Sequence, residues 1–179
     1  MTIDLGKRIS GGGTGAVHEG PDGSVYKITN GSEMANIDLL KEFGMLGRVN
    51  SITDFPTQDV IDAGRHEGRC FIQMKKIDGV PLDELLHAKQ YTAQDIDDMR
   101  AQISDMHEQL ADAGLYHGDA GGLGNYMVSK NAEGLKVRII DFAEGGIDAS
   151  GETARQEALK IDQTLERITP PTHDSTLAL

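Results

Sequence analysis

Apolar residues recur through residues 93–113 in alternating steps of three and four: Ile96, Met99, Ile103, Met106, Leu110 and Ala113. An α-helix turns once in 3.6 residues, so this spacing predicts a helix with one buried stripe. Thr92 and Asp95 occupy the positions of a capping box at its start, and Gly114 suits its end. A second helix is predicted over 33–49, with Ile37, Leu40, Phe43 and Leu46 as its inward stripe and Gly44 and Gly47 weakening its second half. A third is predicted over about 152–168, with Ala154, Ala158, Ile161, Leu165 and Ile168 on one face.

Between these stretches the pattern shortens to that of strands. "KRISGGGTGAVHEGPDGSVYKIT" reads as strand, glycine loop, strand, Pro21-Asp22-Gly23 turn, strand. Residues 58–63 and 69–77 read as further strands, "KIDGVPLDELL" as a strand exit and short helix, and 115–142 as short strands that include "NYMV" and "KVRIID". The tail 169–179 reads as loose chain. A β-rich first half with one helix, followed by a mostly helical half with a small β insertion, makes an α+β protein of one domain, with parts at about 1–75 and 78–168.

Composition narrows the partners. The chain has 179 residues, a formal charge of −12 and 4% aromatic residues, with no tryptophan. That balance disfavours nucleic acid and anionic membrane as main partners. No apolar run is long enough for a transmembrane helix, and the N-terminus lacks the apolar stretch of a cleavable signal peptide. The expected location is the cytoplasm of the producing cell. The single cysteine, Cys70 in "GRCFIQM", excludes an internal disulfide and reads as a core residue. The sequence does not set the oligomeric state.

Four features carry candidate chemistry. The backbone of "SGGGTGAV" has N–H groups that could wrap a phosphate, although glycine hairpins are common and no Walker Lys-Ser/Thr follows. Lys27 sits in the apolar strand "VYKI"; if buried it needs a counter-ion, with Glu42 the better candidate and Glu33 the weaker. In "YHGDAGGLGNYMV", Asp119 could take a proton from a hydroxyl, and the amide oxygen of Asn125 could hold a divalent cation. His117 reads as structural, since no serine, cysteine or metal-ligand pattern accompanies it. Asp141 ends the strand "KVRIID", a suitable place for a metal bound to phosphates. Each has a plain reading alone, as a turn or an exposed side chain. In this order they fit the parts of a phosphoryl-transfer site.

That order resembles the protein-kinase-like superfamily. Ser10-x-Gly12-x-x-Gly15-x-Val17 is similar to its glycine loop, "HGDAGGLGN" to its catalytic loop, and "IDFAEG" to its Asp-Phe-Gly element. The resemblance implies a two-lobed fold with a β-rich N-lobe and a truncated helical C-lobe. It implies ATP and Mg2+ as cofactors, Lys27 and Glu42 as phosphate clamp, Asp119 as base, and Asn125 and Asp141 as metal ligands. By the same resemblance Met74 backs the nucleotide pocket and the backbone of Lys75 to Ile77 faces adenine. Departures are an extra residue between Asp119 and Asn125, His-Gly-Asp for His-Arg-Asp, no Ala-Pro-Glu element, and few residues after Asp141. This reduced plan is similar to bacterial secreted effector kinases of the OspG, NleH and HopBF type, and that resemblance implies injection into a host cell as the other location. It implies a Ser/Thr protein kinase acting on a protein substrate, with a host protein, a chaperone or a ubiquitin-charged conjugating enzyme as partner. The alternatives are a small-molecule phosphotransferase of the aminoglycoside or choline kinase kind, and a pseudokinase that binds nucleotide or a partner without chemistry.

Overall fold

Period-two alternation in the first strands decides which side chains meet the core. In the computed structural model, which describes residue 3 and residues 5–132 and 134–168, β1 (Arg8–Gly11), β2 (Gly15–Glu19) and β3 (Ser24–Thr29) form an antiparallel meander. The turn between β2 and β3 places Gly23 at φ +69°, a left-handed conformation that glycine adopts without strain. Along β3, Tyr26 and Ile28 pack on one face with Phe71, Ile3 and Leu5. Val25 points the other way into the main core, and alternation sends Lys27 to that same side.

Helix α1 (Glu33–Val49) follows, with the Ser32 side chain accepting from the Ala35 N–H as N-cap. The antiparallel strands β4 (Val60–His66) and β5 (Arg69–Lys75) complete a five-stranded sheet in the order β1-β2-β3-β5-β4. The predicted strands 58–63 and 69–77 shift to these bounds. Cys70 is buried in β5, as a core residue should be.

The stripe expected for α1 is corrected by the structure. Ile37, Leu40 and Phe43 are exposed, and of the predicted set only Leu46 is buried. The buried face runs along Ala35, Leu39, Glu42, Leu46 and Val49, with Asn36 and Met45 buried beside it. These residues have the same three-and-four spacing, but one is a carboxylate. The charge on Lys27 selects this face, because only this rotation of the helix presents Glu42 to the sheet.

The second half begins with β6 (Val80–Pro81) and α2 (Leu82–Ala88), then α3 (Ala93–Asp112), β7 (Leu115–Tyr116) and a 3₁₀ turn at Leu123–Asn125. It ends with β8 (Tyr126–Asn131), β9 (Gly134–Ile139), β10 (Gly146–Ile147) and α4 (Glu152–Glu166). The Thr92–Asp95 capping box is present in full. Ile96, Met99, Ile103, Met106 and Leu110 are all buried, while Ala113 is the exposed C-cap and Ala111 takes the inward place. Helix α4 packs along α3 with Ala154, Ile161 and Leu165 inward and Ala158 half-buried. Strands β6, β8 and β9 form one small sheet, β7 and β10 another. The side chain of Gln102 on α3 covers the free edge of β9, accepting from the Val137 N–H and donating to the Leu135 carbonyl.

The fold is α+β, and one core runs through it from Val25 to Leu165. The halves are stitched where β9 ends: the Ile139 N–H donates to the Pro56 carbonyl and the Thr57 hydroxyl to the Ile139 carbonyl. Among the described residues no helix is long and apolar enough to cross a membrane. The predicted tail 169–179 lies outside the described residues.

Leu46→Ala removes a buried side chain and should cost about 2–5 kcal/mol, whereas Leu40→Ala should change stability by less than about 0.5 kcal/mol. Urea unfolding of both variants measures the difference; equal losses would contradict the assigned face.

Candidate functional site

The ammonium of Lys27 has two carboxylates within reach. Nζ donates to Glu42 Oε1 at 2.9 Å and to Asp141 Oδ1 at 2.8 Å, with Glu42 Oε2 also at 2.8 Å. The Glu42 side chain is 3% exposed, that of Lys27 25%. Burial is the strongest single influence on Lys27 and opposes its charge, but Glu42 and Asp141 together outweigh it and raise its pKa above the ordinary lysine value. Burial raises the Glu42 pKa, against the pull of Lys27, and the nearby Asp141 charge adds to the rise. Lys27 therefore stays cationic at neutral pH. The weaker candidate partner, Glu33, lies in the first turn of α1 and forms no ion pair with Lys27 among the described residues.

Asp141 reaches Lys27 from a backbone at φ +62°. A non-glycine residue there carries strain of about 1–3 kcal/mol, which the surrounding structure has to hold. The hold comes from both sides. The Ile140 N–H donates to the Asn125 carbonyl at 2.8 Å, and the next residue, Phe142, is fully buried against the His117 ring.

The loop carrying Asp119 is fixed by its own backbone. The N–H groups of His117 and Gly118 donate to Glu157 Oε2 and Oε1 at 3.0 and 2.7 Å. The ring of fully buried His117 bridges neighbours: Nε2 lies 2.8 Å from the Ile140 carbonyl, and Nδ1 accepts from the Asp119 N–H at 3.2 Å. These bonds tie the buried ring to the Ile140 carbonyl on one side and the Asp119 N–H on the other, so His117 is structural, as the sequence suggested. Gly118 has φ +89°, and a Cβ there would lie 2.0 Å from the Glu144 carbonyl. No side chain fits at that point, which explains the His-Gly-Asp spelling.

Asp119 and Asn125 meet across the five residues between them. The Gly122 N–H donates to the Asp119 carbonyl and the Asn125 N–H to the Gly122 carbonyl, and a 3₁₀ turn at Leu123–Asn125 closes the segment. Asn125 Nδ2 then donates back to the Asp119 carbonyl at 2.9 Å and to Asp119 Oδ2 at 3.2 Å. With Nδ2 so engaged, its oxygen is the end left for a cation.

A cavity of about 710 Å³ lies between the five-stranded sheet and the second half. Its lining includes Lys27, Glu42, Asn125 and Asp141. Ser10, Gly12, Gly15 and Val17 border it from the β1–β2 hairpin, and Met74 and Ile77 from the connecting side. The hairpin loop is tethered by Asn30, whose Nδ2 donates to the Gly13 carbonyl at 2.7 Å. Gly15 permits close passage, since a Cβ there would lie 2.3 Å from the Ile28 carbonyl. Two predicted residues stand outside the lining. Asp119 contributes through its bond to Asn125. Lys75 belongs to a different cleft, with its N–H donating to the Asp59 carbonyl, so its backbone does not face this cavity. The Lys76 N–H is likewise taken, by the Gly23 carbonyl, while Ile77 N–H has no main-chain partner among the described residues.

Among the described residues no group of three or more His, Cys, Asp or Glu side chains forms a ready cage for a metal. The donor set still suits magnesium, which binds through one or two carboxylates plus phosphate and water: Asp141 and the Asn125 oxygen would hold it. No protein-family model matches the chain, and no curated protein matches it.

Sequence reasoning missed Glu157. It reads as a lone acid in the α4 pattern, and its partners are backbone amides, which leave no mark in a sequence. Around it lies a buried polar chain: His107 Nε2 is 2.8 Å from the Tyr126 hydroxyl, and His107 Nδ1 is 3.6 Å from Glu157 Oε2 without a hydrogen bond. Burial, aided by nearby His117, lowers the His107 pKa to about 4. The same burial raises the Tyr126 pKa.

The folded chain thus holds His107 neutral while the unfolded chain protonates it near pH 6.5. This contribution to stability is complete above about pH 6.5 and is lost as pH falls toward 4, amounting to about 2 kcal/mol by pH 5. Urea unfolding at pH 6.5 and pH 5 should show that loss in the native chain and not in His107→Gln; parallel losses in both would contradict it.

Proposed function

We propose that the chain is an ATP- and Mg2+-dependent phosphotransferase of reduced, two-lobed, protein-kinase-like build, acting on Ser or Thr hydroxyls of a protein. One observation carries this reading: Lys27 of a central strand is held between Glu42 of a helix and Asp141, which is 114 residues away in the chain. A lysine clamped in this way, at the back of a cavity roofed by a glycine hairpin, suits the α- and β-phosphates of a nucleotide.

The roles follow from chemistry. Lys27 grips phosphate oxygens and Glu42 keeps its ammonium aimed. Met74 and Ile77 would flank the base, with the Ile77 N–H available to its edge. Asp141 and Asn125 would hold magnesium, which supplies charge neutralisation at the β- and γ-phosphates. Without such a cation the carboxylates of Glu42, Asp119 and Asp141 outnumber the one ammonium and would repel a triphosphate. Asp119 orients the acceptor hydroxyl and takes its proton as the new oxygen–phosphorus bond forms and the β–γ bridging bond breaks, leaving ADP.

Two features favour a protein acceptor and constitutive activity. Only residues 142–151 separate Asp141 from α4, so little chain lies between them to screen Asp119 from a large substrate. The Lys27–Glu42 pair is already formed, with no phosphate needed to draw α1 inward. A host protein as target agrees with the resemblance to injected effector kinases.

Asp119→Ala should bind Mg·ATP within about threefold of the native chain and lose about 10²–10⁴ of its transfer rate; retained transfer from labelled ATP would remove the residue from its role. Asp141→Ala should weaken Mg·ATP binding by about tenfold or more; an unchanged calorimetric affinity would contradict it. Labelled bands from host lysate support the protein kinase. Labelled aminoglycoside, or bound ATP with no transfer at all, would replace it with the small-molecule enzyme or the pseudokinase.

A further inference from the structure

Helix α1 turns apolar side chains outward where a surface helix ordinarily carries charge. Met34, Ile37, Leu40 and Phe43 are all exposed, Met34 and Leu40 by more than half. Single apolar residues on a surface are ordinary, but four on one helix form a patch. Glu42 leaves α1 from the opposite face, and none of these four lines the cavity it serves. Beside them a groove of about 610 Å³ runs between α1 and strands β4 and β5, with Ile37, Leu40 and Phe43 on its helix side.

The order of residues along this outer face is symmetric about the bond between Leu40 and Lys41. Ile37 and Gly44 stand equally far on either side of it, and so do Glu33 and Arg48. All four are exposed, on the side of the helix away from the core. A second α1 laid against the first head to tail would therefore set its Gly44 against Ile37 and its Arg48 against Glu33, with the two Leu40 side chains beside the axis. Neither outward glycine serves the chain's own packing. A Cβ at Gly44 or Gly47 would meet nothing within 4 Å, and neither has a positive φ. Glycine weakens a helix interior, so what it supplies here is room for a neighbour. Glu33 and Arg48 form no ion pair among the described residues, whereas Asp38 and Lys41 hold each other at 3.3 Å.

We propose that α1 pairs with the α1 of a second copy of this chain, antiparallel about a twofold axis, to form a homodimer. A twofold contact needs one patch that carries both a group and its complement, equally far from the axis. This helix has two such matches, one of charge and one of size. A helix of another protein would require neither. Two copies of formal charge −12 repel at long range. The charges of α1 outside its buried face, Glu33, Asp38, Lys41 and Arg48, cancel, so this face is neutral and contact across it brings two Glu33–Arg48 pairs together. The inference stands whether or not the cavity on the other side of α1 transfers phosphate.

Sedimentation equilibrium of the full chain in about 0.15 M salt, where charges are screened beyond about 8 Å, tests it. The mass should rise from monomer to dimer between about 1 μM and 1 mM, the range of a small interface. Leu40→Lys should weaken association about tenfold or more. Gly44→Gln should do the same while raising the thermal midpoint of the dilute chain, because it improves the helix as it fills the gap. Glu33→Lys and Arg48→Glu should each weaken association about tenfold. An equimolar mixture of those two variants should regain the dimer, since each copy then offers the charge the other needs. A chain that stays monomeric to about 1 mM, assembly beyond a dimer, or a dimer indifferent to Leu40→Lys and Gly44→Gln would overturn the proposal. So would a mixture of the two charge variants that associates no better than either alone.

Discussion

An ammonium pushed into a protein interior has to find a negative partner, and that constraint at Lys27 organises the molecule. Strand alternation turns its side chain toward the core. There it draws Glu42, which fixes the rotation of α1, and Asp141, which ties the first half to the second. Removing the lysine would leave the buried Glu42 carboxylate uncompensated, at a cost of about 3–5 kcal/mol. Two carboxylates around one ammonium leave the local charge negative, a bias that favours an incoming cation beside any phosphate.

The second organising element is the Glu157 carboxylate, which holds the backbone of the loop before Asp119. It acts through amides, so the loop side chains remain free for chemistry. His117 extends the same frame to Ile140, and the Asn125 carbonyl receives the Ile140 N–H. Asp119, Asn125 and Asp141 are therefore positioned by one connected set of bonds, each anchored in buried structure. In this frame a 3₁₀ turn precedes β8 and Asn125 Nδ2 reaches the Asp119 carboxylate.

Much of this was legible in the residues. The stripe and capping box of α3, the two hairpin turns and the pairing of Lys27 with Glu42 follow from spacing and from the rule that buried charges pair. The orientation of α1 was not legible, because Ile37, Leu40 and Phe43 form as regular an apolar row as the face that is buried. Choosing between the rows required counting a glutamate as an inward residue. Glu157 escaped for the reason that a carboxylate serving backbone amides has no sequence partner. Lys75 was assigned to the nucleotide side by position in the connecting segment, but the pairing of β5 with β3 and β4 turns it to the other cleft.

The central claim is that Lys27, Asp141 and Asn125 converge on one bound triphosphate. A crystal structure of the chain with magnesium and a non-hydrolysable ATP analogue tests it most directly. The account predicts α- or β-phosphate oxygens within hydrogen-bond reach of the Lys27 ammonium, and a magnesium ion shared by the phosphates, Asp141 and the Asn125 oxygen. A nucleotide bound elsewhere, or a Lys27–Asp141 contact that persists with the cavity empty at saturating analogue, would contradict it.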